Sequence, residues 1–134
     1  MAAKTLLMVT ALVETPIAAL LLISPAFVVA LLLGAPLDAP PALIVGRIAG
    51  AALLSLGGAC WLARDDGPSR ARRGLVAAML LYNSVAAALL ATAGAAARLV
   101  GVLTWPAVAV HAGLALWCIA CLRSGRHGWR ARHT

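Results

Sequence analysis

Four apolar runs, at about residues 5–33, 42–63, 74–97 and 100–122, take up almost all of a 134-residue chain. Each is long enough for the roughly 20 residues that a helix rising 1.5 Å per residue needs to cross about 30 Å of hydrocarbon. Lipid offers no water to an open backbone group, so a run of this length satisfies its N–H and C=O groups as an α-helix. The expected fold class is therefore all-α: an integral membrane protein built as a four-transmembrane-helix bundle. Composition agrees, with 63% hydrophobic and only 11% charged residues, where a soluble domain carries roughly 25% charged residues. The mean hydropathy is +0.99. Residues 1–134 read as one membrane domain with a basic loop at 64–73 and a basic tail at 123–134. The runs leave no room for a soluble domain in which separate chemistry would sit.

The formal net charge is +7, yet its placement points to topology and not to nucleic acid. Lys4, then Arg64, Arg70, Arg72 and Arg73, then Arg123, Arg126, Arg130 and Arg132 fall at alternate ends of the runs. Asp38 and Arg98 are the charges of the other two connections. Basic residues stay on the cytoplasmic side, so both termini and the 64–73 loop are expected inside a cell membrane crossed several times. The bilayer itself is then the first partner, and the basic tail is drawn to anionic lipid. The first run has one leading lysine, an internal acid and a length beyond the 7–15 residues of a signal h-region, so a retained helix is expected.

That internal acid is Glu14, with about two turns of apolar residues on either side. An ionisable group so deep in lipid costs roughly 2.5–3.5 kcal/mol on the most lenient scale, which makes a partner or a function the default expectation. Counting depth from the basic end of each run places Glu14, Ser55, Tyr82 with Asn83, and His111 about 14–18 Å in, close to one level. On the fourth run Thr104, His111 and Cys118 recur every seven residues and share a face with Ala107 and Ala115. On the first, Thr10, Glu14 and Ala18 do the same. Small residues beside polar ones suggest an inward stripe with space next to it. Arg47, about 25 Å up, reaches this layer only from above; the plainer reading has it snorkel outward. Gly46-x-x-x-Gly50 predicts one close helix contact, within the chain or between copies. Ser24-Pro25 predicts a kink, with a weaker one at Pro16.

The candidate ligand-binding residues are thus Glu14, Arg47, Ser55, Tyr82, Asn83 and His111, around a midplane site that binds or transports a small cation, a proton or a lipophilic molecule. Transport by so short a chain implies a homo-oligomer, with the site at a helix or subunit interface. In outline, with four spans and a glutamate in the first, the chain resembles the small multidrug resistance transporters, although that family's aromatic and glycine motifs have no counterpart in the later spans here. The alternative is a membrane-embedded enzyme in which Glu14, His111 and Tyr82 perform acid–base chemistry, of the isomerase kind, on a lipid or isoprenoid substrate. A third reading is an accessory subunit whose polar groups serve assembly. No cofactor is identified: one intramembrane histidine supplies half of a bis-histidine haem site. Cys60 and Cys118-x-x-Cys121 fall short of the four ligands of structural zinc and read as small packing residues. Asp65-Asp66 reads as a solvated turn, and no metal site is expected.

Overall fold

A computed structural model describes residues 2–130, with side-chain surroundings for residues 2–124. It is all-helical: α1 (Ala2–Ile23), α2 (Pro25–Leu33), α3 (Pro40–Ala63), α4 (Arg70–Ala95) and α5 (Thr104–Arg130). Four helices are long and apolar enough to cross a membrane: α1, α3, α4 and the Thr104–Ser124 part of α5. The chain is thus compatible with a small multi-pass membrane protein.

The boundaries differ from those expected wherever a cap or a proline decides them. The first run is two helices, because Ser24 leaves helical geometry (φ −141°, ψ 74°) and Pro25 starts α2; Pro16 leaves α1 unbroken. Pro40 and Pro41, which precede the expected start of the second run at 42, open α3. A first-turn proline gives up only an N–H that has no helical partner anyway. The third span begins at Arg70 and not at 74, since the Ser69 hydroxyl caps it by accepting the Arg72 N–H at 3.1 Å. The fourth begins at Thr104 and continues past 122 to Arg130, so part of the expected tail is helical. His127, His133 and the other side chains after Ser124 lie outside those described.

The helices associate as two pairs, α1 with α3 and α4 with α5, and the pairs meet each other less closely. Close approach of α3 to α1 and α2 comes from glycine. A Cβ on Gly50 would stand 2.9 Å from the Ala18 carbonyl oxygen, the Leu21 Cβ and the Leu22 nitrogen, and one on Gly46 would stand 2.6 Å from the Pro25 Cβ. The Gly46/Gly50 contact is therefore made within the chain. At the arginine-rich end, Lys4 Nζ donates to Asp65 Oδ1 at 2.5 Å, tying the start of α1 to the turn after α3. Arg64 stacks over the exposed Trp61 ring, 4.0 Å from its centroid.

At the opposite end α2 is clamped to the start of α5 through its backbone carbonyls. Leu103 N–H donates to the Leu31 carbonyl at 2.9 Å, and Thr104 Oγ1, which accepts from Gly101 N–H, donates to the Leu32 carbonyl. Gly34 closes α2 in the left-handed region (φ 64°) with the Val100 carbonyl against the place where a Cβ would be. Glycine is the residue that meets both demands. Between clamp and charged end lies one apolar core to which all four spans contribute: Leu6, Leu7 and Ala11; Cys60; Val76 and Met79; Leu114 and Cys118. Only 17% of the most apolar window of α3, α4 or α5 is buried, so most of each helix faces outward.

Two outcomes follow. Gly50→Ala should lower stability in detergent by about 1–3 kcal/mol through overpacking, whereas Gly58→Ala, with nothing within 4 Å of its added carbon, should be near neutral; matched thermal unfolding curves decide. Separately, the Lys4 hydrogen bond holds the Asp65 carboxyl below its usual value. A lowered carboxylate stabilises above its unfolded-state value and loses that contribution as pH falls through the folded one. Amide exchange in the first turn of α1 should therefore be faster in Asp65→Asn than in wild type at neutral pH, with the difference shrinking on acidification and in high salt.

Candidate functional site

Residues 7, 10, 11, 14 and 18 of α1 fall on one helical stripe, and all are buried. Glu14, 2% exposed, therefore looks into the bundle. Across the seam, Tyr82 of α4 donates its hydroxyl to Glu14 Oε2 at 3.3 Å. That is long for an O–H···O bond, whose usual range is about 2.5–3.0 Å, so the carboxylate is held loosely. The other oxygen, Oε1, is buried with no hydrogen-bond partner, and so is Thr10 Oγ1 one turn away. Neither ion pair found among the described residues involves Glu14.

The second pair of helices holds its polar groups more firmly. Asn83, fully buried on α4, donates its amide to the Met79 carbonyl at 2.8 Å. Its carbonyl Oδ1 then stands 2.8 Å from His111 Nδ1 on α5. Turning the amide round would place two carbonyl oxygens in contact, so Oδ1 is the acceptor and His111 Nδ1 carries the hydrogen. The Nε2 of a neutral ring is then left as an open acceptor. Tyr82 and His111 meet edge to face, with centroids 5.5 Å apart and planes at 84°. A continuous chain of contacts thus runs from Glu14 on α1 through Tyr82 on α4 to His111 on α5, with Asn83 bracing its far end.

Four of the six candidates, Glu14, Tyr82, Asn83 and His111, come together in this cluster. Two do not. Ser55 is exposed on α3 and bonds back to the Ala51 carbonyl at 2.9 Å. Its depth is right, but its azimuth is about 200° from the inward Gly57 at 100° per residue. Arg47 is likewise exposed on α3, away from the cluster. Thr10 joins the site in their place. Its spacing of four from Glu14 marks the shared face in the sequence, while the missing partner for its hydroxyl is visible only in the packed bundle.

Cys60 and Cys118 are buried in the apolar core and Cys121 is half-buried; all three are free thiols. Among the described residues, no three His, Cys, Asp or Glu side chains converge as a metal set. No protein-family model matches the chain, and neither curated proteins nor solved structures give a match.

The Asn83–His111 bond has a direct readout. In ¹⁵N spectra of histidine-labelled protein at alkaline pH, His111 should show the Nδ1–H tautomer. Asn83→Leu should return it toward the Nε2–H form favoured by free imidazole; an unchanged tautomer would contradict this geometry.

Proposed function

We propose that the protein is a small multi-pass membrane protein that binds, and in assembled form transports, a small cation, a proton or a cationic lipophilic molecule at Glu14. One observation carries this reading: Glu14 Oε1 and Thr10 Oγ1 are both buried, on one face, without a partner. Residues at i and i+4 lie about 5–6 Å apart at Cβ, so the two oxygens suit one donor-bearing group lodged between them. The charge balance points the same way. An ionised carboxylate sealed from water without a counter-charge costs several kcal/mol, and a proton or bound cation removes that cost. The thin, outward-facing spans favour homo-oligomeric assembly in the bilayer, since a bundle of four helices encloses little space of its own. On the distribution of arginine the host is a cell membrane with both termini cytoplasmic.

A second reading is favoured by a different observation. The open Nε2 of His111, fixed in orientation by Asn83, is suited to act as a base opposite the acid Glu14, as an isomerase acting on a lipid or isoprenoid would require. The two readings part on turnover: the enzyme consumes its lipid and stops on His111→Ala, whereas the binding protein does neither.

The test uses a defined probe. Phenethylammonium, an apolar cation with N–H donors, should bind purified protein in detergent micelles, and Glu14→Gln should weaken it by at least about tenfold, or about 1.4 kcal/mol, with the helical content unchanged. Acidification should release the probe by protonating the same carboxyl group. Equal affinity in wild type and Glu14→Gln would overturn the reading.

A further inference from the structure

At the arginine-rich end the two helix pairs part around a cleft of about 730 Å³. Arg70, Arg72 and Arg73 stand on its rim beside the Ser69 cap, and Val76, Cys121 and Leu122 form its apolar side. No described acidic side chain lines it. The rim is also the amino-terminal end of α4, a 26-residue helix, whose aligned peptide dipoles add about half a positive charge there. Arg72 is half-buried. One of its terminal nitrogens is committed to the Asp66 carbonyl at 2.5 Å, but its Nε is sealed from solvent with no partner. Asp65 is engaged by Lys4 and Arg64.

We infer that this cleft is a binding site for an anionic phospholipid, with the phosphate held by Arg70, Arg72 and Arg73 at the start of α4 and an acyl chain laid along Val76 and Leu122. Charge and shape together select this occupant. The rim supplies three guanidinium groups suited to the oxygens of a phosphate, and the cleft sits where a span meets its polar loop, at headgroup depth. A free phosphate ion would fill only a small part of the volume and leave the apolar side wet. A zwitterionic lipid would bring its own cation against three arginines. The site is separate from Glu14 and holds whether or not Glu14 binds a cation.

Native mass spectrometry of the full chain in detergent, titrated with phosphatidylglycerol and with phosphatidylcholine of the same acyl chains, tests it. Wild type should bind phosphatidylglycerol roughly tenfold more tightly or better, as expected for several basic groups acting near one headgroup. Because Arg70 and Arg73 are exposed, the double variant Arg70→Gln, Arg73→Gln should fold normally and lose most of that preference, with Arg72→Gln removing the rest. Changing Arg126, Arg130 and Arg132 to Gln, or Glu14 to Gln, should leave the preference in place, and millimolar inorganic phosphate should not displace the lipid. Equal binding of the two lipids, loss of preference through the tail variant instead of the rim variant, or displacement by phosphate alone would each overturn the assignment.

Discussion

A carboxylate placed on the inward stripe of α1 is the constraint around which the rest is arranged. Burial keeps solvent from it and no described basic side chain pairs with it, so the opposite helices must supply what contact it has. Tyr82, the one tyrosine of the chain, reaches it with a long hydrogen bond, and the edge of the tyrosine ring is set by His111, which Asn83 holds. Each helix of the second pair is therefore oriented partly by polar contacts that lead back to residue 14. Half of the carboxylate is nevertheless left without a donor. That oxygen leaves part of the desolvation cost of the carboxyl group unmet, because a buried polar atom without a partner costs about 1–3 kcal/mol.

The seam between the helix pairs is graded along its length. At one end it is closed by backbone hydrogen bonds and by glycines that allow carbonyls to approach. In its middle the Glu14 cluster and an apolar core of small and medium side chains share the interface. At the arginine-rich end it opens into the basic cleft. Within the α1–α3 pair, by contrast, glycine brings backbones together over several turns. The chemistry-bearing groups thus occupy the less tightly packed of the two kinds of contact, where a change in spacing disturbs fewer van der Waals partners.

Much of this was legible in the sequence, and what was not is instructive. Run length anticipates the four long apolar helices, because a run of that composition satisfies its backbone groups within a helix. Depth counting brings Glu14, Tyr82, Asn83 and His111 to one level, because rise per residue is constant. Depth says nothing of azimuth, which is why Ser55 stands at the right height on the wrong face. The glycines at 50 and 57 mark the inward side of α3, and a reading anchored on them would have turned Ser55 outward. The division of the first run at Ser24 and the early start of α4 at Ser69 depend on single caps, which compete with hydropathy only locally. The unpartnered state of Thr10 depends on what the neighbouring helices fail to bring, and no local pattern records that.

The central claim is that Glu14 is bound into the seam by Tyr82 across the two helix pairs. A double-mutant cycle on unfolding free energy in detergent, using Glu14→Leu, Tyr82→Phe and the combination, measures that link, because leucine keeps the bulk and removes the acceptor. A coupling of about 1 kcal/mol or more is predicted, since the hydrogen bond has one partner on each pair. Strict additivity, within about 0.3–0.5 kcal/mol, would mean that the carboxyl group of residue 14 and the phenol do not meet, and would contradict the account.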